Sequence, residues 1–300
     1  MINVFDKLKN ISYFETIDEY TNFLEESESL RYGSSDDDDY RFSGTHSLKE
    51  ALELCKYGDE KLRQYIYQQN LQFDNVDSLN KVRRSTVNDV VGFMPNVPNY
   101  ILGVPTNMIR DNRTMISSKV LNVFINVSAA WHVDKEYIKQ NAAKYVCAIN
   151  RLEEEGYRCN IYAGSAGERG DRENLLVVKI KSDKEPMNLA KMAFPLCHPS
   201  MLRRLKFKWM ETIPIDFGLG YSSSITSDTQ ISRLLKNIFG DIKFTILSVS
   251  SSPGKIGDVM EMLKKKGMVN DERTNWEIYI SINIYLEYYD YIYSHKHNTL

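Results

Sequence analysis

The run Val120–Val127, VLNVFINV, followed closely by the amphipathic stretch Lys135–Glu155, constrains the fold more than any other feature of the chain. A continuous run of valine, isoleucine, leucine and phenylalanine reads as a strand covered on both faces. The stretch behind it sets Tyr137, Ile138, Ala142, Tyr145, Val146, Ile149 and Leu152 at three- and four-residue steps, with Gly156 to close it. That spacing predicts a helix with one apolar face. A doubly covered strand feeding a helix predicts βαβ connections and parallel pairing. The rest of this half keeps alternating. Arg158–Ala163 and Leu175–Lys181 read as strands joined by a glycine-rich turn, Gly164–Gly170. Met187–Phe194 reads as a helix, Leu205–Ile213 as a strand, Thr229–Phe239 as a helix, Asp241–Ser248 as a strand and Ile256–Lys266 as a helix. Trp276–Tyr293 alternates like one or two final strands. The expected class is α/β, a mostly parallel sheet flanked by helices over residues 116–300.

Residues 1–115 read as a helical and proline-rich irregular region. Its opening segment, Met1–Leu30, is amphipathic, with a helix around Thr16–Glu26. The acidic run Asp36–Asp39 is expected to be solvated and mobile, because like charges repel and nothing apolar interrupts them. Ser47 and Glu50 stand three residues apart, as a capping box requires, ahead of a helix Leu48–Tyr57 that Gly58 can end. A second helix covers Asp59–Leu71, and Asp74–Ser85 reads as a polar connector. Asn88–Arg110 holds three prolines and two glycines among apolar residues, which excludes a regular helix or a central strand. An ordered extended loop packed on the body is expected there.

Composition excludes several classes. The net charge of −2 gives no global field for nucleic acid or anionic membrane. No run reaches the roughly 18 apolar residues of a membrane span, and the N-terminus lacks a secretory apolar core. The four cysteines, Cys55, Cys147, Cys159 and Cys197, form no CxxC pair. Cys55 and Cys147 fall on apolar helix faces, where a free buried thiol is expected. A soluble, reduced, cytoplasmic protein is the expectation, with no membrane partner.

Candidate sites follow from placement. In an open α/β sheet, ligands sit outside the carboxyl ends of strands. Asn126, Ser128, Trp131 and His132 fall at such an end, with Asp134 placed to cap the next helix. Asn126-x-Ser128-x-Ala130 offers no carboxylate, so a divalent cation is not expected there, and no other cofactor is implied. In Pro195–Leu205, adjacent Cys197 and His198 diverge too far for a nucleophilic dyad, while Arg203 and Arg204 could contact an acidic partner. Ser248–Lys255 lies between a strand and a helix, and Ser250, Ser251, Gly254 and Lys255 could bind an anion at that helix N-terminus. The basic residues Lys81, Arg83, Arg84, Arg110 and Arg113, with Tyr100, could meet nucleic acid, although no reader motif is present.

Two resemblances follow from these residues. The loop Asn126-x-Ser128-x-Ala130 stands where von Willebrand factor A-type domains keep an Asp-x-Ser-x-Ser metal loop, and element order over Lys119–Lys266 is similar. RFSGTHSLKEALEL (41–54), VGFMPNVPNYILGVPTNM (91–108) and FPLCHPSMLRRL (194–205) resemble an uncharacterised family of tailed bacteriophages and prophages, over roughly residues 40–250. That resemblance implies phage origin and action inside a bacterial host, and carries no catalytic residues with it. Without a complete catalytic constellation, the expected function is a non-enzymatic binding or assembly protein. It would recognise a host or phage protein through Asn126, Ser128, Trp131, His132, Arg203 and Arg204. The alternatives are an anion- or nucleotide-binding enzyme at Ser248–Lys255 and a nucleic-acid-binding accessory protein.

Overall fold

The computed structural model describes residues 1–5, 8–30, 33–73, 86–111, 120–213, 221–250 and 256–269. Its centre is β6 (Val120–Asn126), the strand expected from the apolar run. Leu121, Val123, Ile125 and Val127 enter one core and Phe124 enters the other, so alternate residues face opposite layers. The chain reaches this strand through β1 (Ile2–Phe5), β2 (Lys9–Phe14), α1 (Ile17–Glu26), α2 (Tyr40–Ser43), α3 (Leu48–Tyr57) and α4 (Glu60–Phe73). A small excursion follows: β3 (Thr86–Asp89), β4 (Met94–Pro95), α5 (Val97–Ile101) and β5 (Met108–Asp111). After β6 come α6 (Lys135–Glu154), β7 (Arg158–Arg169), β8 (Arg172–Lys181), α7 (Leu189–Cys197), a π-helix (Met201–Lys206), α8 (Phe207–Thr212), β9 (Ser223–Ser224), α9 (Asp228–Phe239), β10 (Thr245–Ser248) and α10 (Ile256–Val269).

The main sheet runs β1-β2-β8-β7-β6-β10, with β9 paired to β7. Along that path β2–β8, β7–β6 and β6–β10 are parallel, and β1–β2 and β8–β7 antiparallel. The class is therefore α/β with a mostly parallel sheet flanked by helices. Helices α1, α3, α4, α6, α7, α8 and α10 contribute to one core, centred on Trp209, Phe194 and Phe14. Helix α9 covers the opposite face over Phe124, Tyr13 and Tyr162. Residues on both sides of the expected division at 115/116 share the sheet and the larger core.

Several expectations hold in detail. Asp134 caps α6, accepting from the Glu136 N–H at 2.7 Å. Ser47 caps α3 through the Glu50 N–H at 3.1 Å, and the Glu50 carboxylate reaches back to the His46 N–H at 2.6 Å. Gly58 follows α3 with φ +93°, a conformation that favours glycine. All four cysteines are free and buried.

Other expectations are corrected. β1 and β2 pair antiparallel and β2 also pairs with β8, because β2 is buried on both faces and shows little alternation. Gly164–Gly170 is no turn, since β7 continues to Arg169 and only Gly170 and Asp171 turn the chain. Leu205–Ile213 is helical, finishing the π-helix and forming α8. The alternation of Leu205, Phe207 and Trp209 mimics a strand, but Lys206, Met210 and Glu211 are buried too, so polarity does not report the period. Trp276–Tyr293 and Asp74–Ser85 lie outside the described residues.

Gly164 fixes the centre of the sheet. A Cβ there would stand 2.2 Å from the Leu176 carbonyl oxygen and 2.6 Å from the Phe124 ring, so only glycine lets β7, β8 and Phe124 close up. Gly164→Ala is expected to cost about 3 kcal/mol, seen as a lower urea midpoint with an unchanged slope. An unchanged midpoint would show that the strands separate freely.

Candidate functional site

The loop after β6 turns its polar atoms inward. Asn126 and Ser128 are fully buried. Asn126 Nδ2 donates to the Ile225 carbonyl at 2.9 Å, and Oδ1 accepts the Ser128 N–H at 3.1 Å. Ser128 Oγ lies 2.6 Å from Ser165 Oγ and donates to the Ala166 carbonyl at 3.0 Å. These two residues brace β7 and the exit from β9, so the expectation that they contact a partner is corrected: neither presents surface. Trp131, 81% exposed, and His132 do present surface, with their rings edge-to-face at 5.8 Å.

Arg203 and Arg204 are also buried rather than offered to a partner. Arg203 donates to the Phe42 carbonyl at 2.7 Å and the Val133 carbonyl at 2.5 Å, with its guanidinium 4.2 Å over the Phe42 ring. Arg204 donates to Thr45 Oγ1 at 2.7 Å, the Thr45 carbonyl at 2.7 Å and the Ser35 carbonyl at 3.0 Å. A guanidinium is never neutral, so in the interior it needs several acceptors, and backbone carbonyls supply them. The segment they hold contains the acidic run, which is exposed to solvent as expected, with three of its carboxylates hydrogen-bonded to neighbours. Asp36 accepts the Leu48 N–H at 2.6 Å, Asp38 meets His46 Nδ1 at 3.1 Å, and Asp39 caps α2 through the Phe42 N–H at 3.1 Å. Glu211 completes the clasp, accepting from Ser35 N–H at 3.1 Å, Ser35 Oγ at 2.8 Å and Tyr221 OH at 2.7 Å. Sequence reasoning missed Glu211, which carries no local signal because its partners are remote in the chain.

Cys197 is buried in the core, and burial pushes its thiol pKa upward. His198 stacks on Phe194 at 4.6 Å, and its Nδ1 accepts the Ser200 N–H at 3.1 Å. Burial pulls the imidazole pKa down to about 4. The pair is structural, with no thiolate and no charged histidine near neutrality.

The alternative sites receive little. Ser248 and Ser250 hydroxyls lie 3.0 Å apart, while Ser251, Gly254 and Lys255 are outside the described residues. Lys81, Arg83, Arg84 and Arg113 are likewise outside them, and Arg110 pairs with Asp89 at 2.8 Å. At the opposite end of the sheet, a cleft of about 570 Å³ opens at the carboxyl ends of β2 and β8. Three of its four lysines have partners, Lys179 with Glu15, Lys181 with Glu153 at 2.6 Å, and Lys56 with Glu25 at 2.7 Å, while Glu15, Asp18 and Glu185 line it beside Lys191. Matched charges leave it without a strong preference for an anion or a cation.

The most exposed apolar surface lies in the excursion. Residues 86–111 form the three-stranded sheet β3-β5-β4 with α5 at its tip, and these elements make at most glancing contact with the main body. Val91, Ile101 and Leu102 are 75%, 77% and 76% exposed, and Val90, Phe93, Val97 and Tyr100 are more than half exposed. The expectation that this segment packs on the body is corrected. Its own hydrogen bonds explain how it stands alone: Asn96 caps α5, Phe93 N–H donates to the Ile109 carbonyl at 2.9 Å, and Asn96 N–H to the Asn107 carbonyl at 2.7 Å.

A family model described as "Domain of unknown function (DUF7192)" matches residues 6–270. No curated protein and no solved structure matches the chain. Among the described residues, no helix is long and apolar enough to cross a membrane.

The geometry of His198 sets a pH dependence. Its folded pKa lies below the unfolded value, so the unfolded chain binds the extra proton between pH 6.5 and about 4. Stability from this group is complete above pH 6.5 and lost as pH falls to about 4, on the order of 3 kcal/mol. His198→Asn, which keeps an acceptor for the Ser200 N–H, is expected to flatten that part of the stability–pH curve. Arg204→Met is expected to cost about 3 kcal/mol by stranding buried carbonyls, with no rescue by Arg204→Lys, whose ammonium cannot span the same acceptors. Thermal unfolding of the three variants checks both expectations.

Proposed function

The chain belongs to the DUF7192 family, whose domain of unknown function covers most of its length, and from that premise we propose that it is a non-enzymatic binding or assembly protein that docks another protein through the 86–111 excursion. The observation that carries this reading is the exposed apolar surface of Val90, Val91, Phe93, Tyr100, Ile101 and Leu102. Monomeric proteins rarely leave so much contiguous apolar surface in water, and such patches mark interaction sites. Arg110 is the sole cation in 86–111 and is paired with Asp89, so the excursion offers little to phosphates. An apolar protein surface fits it better than a nucleic acid. Trp131 and His132 form a second, smaller contact region at the sheet end.

The motifs at 41–54, 91–108 and 194–205 support a phage or prophage origin, and with it action in the cytoplasm of a bacterial host. The order β6, α6, β7, with the loop at Asn126 and Ser128, supports the likeness to a von Willebrand A domain. On this reading the loop no longer binds a metal, because Asn126 Oδ1 accepts the Ser128 N–H and Ser128 Oγ is tied to Ser165 Oγ and to the Ala166 carbonyl, to which it donates.

The test compares the wild-type chain with Ile101→Asp/Leu102→Asp in quantitative capture from host cells. A specific partner is expected to be retained by the wild type and reduced at least about tenfold by the double variant, the scale of one lost anchor residue. The melting temperature should hardly move, since both positions are exposed. Equal capture by both proteins would defeat the reading. Trp131→Ala is expected to weaken the same partner less.

A further inference from the structure

The cleft beyond the carboxyl ends of β2 and β8 stands where ligands sit in open α/β sheets, because two parallel strands deliver their following turns to the same side. Its volume of about 570 Å³ lies within the range of small-molecule sites. Helix α1 follows β2 and helix α7 follows β8, and residues from the first turns of both line the cleft. Asp18 comes from the first turn of α1 and Lys191 from the first turn of α7. Glu185 comes from the connection between β8 and α7, where one of its oxygens accepts the Ser182 N–H at 3.0 Å.

The charges on the wall fall into two groups. Lys56, Lys179 and Lys181 are each matched by a glutamate of the protein itself. Lys191, Asp18 and Glu185 line the same cleft, and none of the three has an ion pair among the described residues. A guest of a single sign would be attracted by part of this second group and repelled by the rest, whereas a guest carrying both signs engages all of it. Ile17, Cys55 and Met192 add apolar surface to the lining, with Cys55 and Met192 buried. Burial pushes the Cys55 thiol pKa up to about 12, so it offers a neutral, unreactive surface rather than a nucleophile.

We propose that this cleft binds a small zwitterion of the amino-acid class, with its ammonium against Asp18 and Glu185, its carboxylate against Lys191, and its carbon skeleton on Ile17, Cys55 and Met192. Asp18 and Lys191 stand on helices rather than loops, which fixes their separation and selects the spacing between the guest's two charges. None of these residues belongs to the 86–111 excursion, so this site and the docking reading fail independently.

The test is calorimetric titration and thermal unfolding of the full chain with each of the common free amino acids. The best binder is then compared with its N-acetyl form, which lacks the ammonium, and its amide, which lacks the carboxylate. At least one free amino acid is expected to raise the melting temperature in a saturable way. Each blocked form should bind at least about tenfold more weakly, the scale of one lost charge-assisted hydrogen bond. Lys191→Met and Asp18→Asn should each weaken the free amino acid to a similar degree. Both positions are exposed, so the melting temperature without ligand should hardly change. Should Asp18→Asn disturb α1, Glu185→Gln tests the same pole from outside the helix. The proposal is overturned if no free amino acid gives a saturable response, if the blocked forms bind as well as the free one, or if the variants bind like the wild type.

Discussion

Two buried guanidinium groups set the shape of one end of this protein. Arg203 and Arg204 lie inside the structure and end on the carbonyls of Ser35, Phe42, Thr45 and Val133. A charge that cannot be neutralised by losing a proton must be solvated by the protein, and only correctly folded backbone at residues 35–45 and 133 does so. The clasp therefore ties the N-terminal segment, the loop after β6 and the π-helix into one arrangement. It also positions the acidic run beside it, where Asp36, Asp38 and Asp39 are each engaged by a neighbour.

The π-helix belongs to the same economy of placement. Adjacent arginines on an ordinary helix diverge by about 100°. The wider turn at Met201–Lys206 still lets both reach acceptors, while Leu205 and Trp209 stay in the core. Lys206, the last residue of that turn, is buried as well. A segment that solves one problem for two cations thus buries a third that has no ion pair among the described residues.

The excursion obeys a different rule. A side chain such as Ile101 or Leu102 left in water forgoes about 1.5–3 kcal/mol of burial, and neither contributes to either core. The segment keeps its form through turns and caps rather than through packing. That separation between a well-packed sheet and an apolar outpost supports a division of labour: the sheet domain holds shape and the outpost meets a partner.

The sequence by itself determined the elements whose signals are local. The apolar run of β6, the three- and four-residue steps of α6, the Asp134 cap and the Ser47–Glu50 box were legible because each works within a few residues. What only the tertiary structure decided lies where burial comes from elsewhere. β2 became a sheet strand by pairing with β8, Leu205–Ile213 became helix despite its alternation, and Asn126, Ser128, Arg203 and Arg204 turned inward to acceptors from 2 to 169 residues away. The physical reason is the same in each case: hydrogen-bond partners for a buried polar group are chosen by the fold, and residue type alone cannot distinguish an arginine aimed at a partner from one aimed at its own backbone.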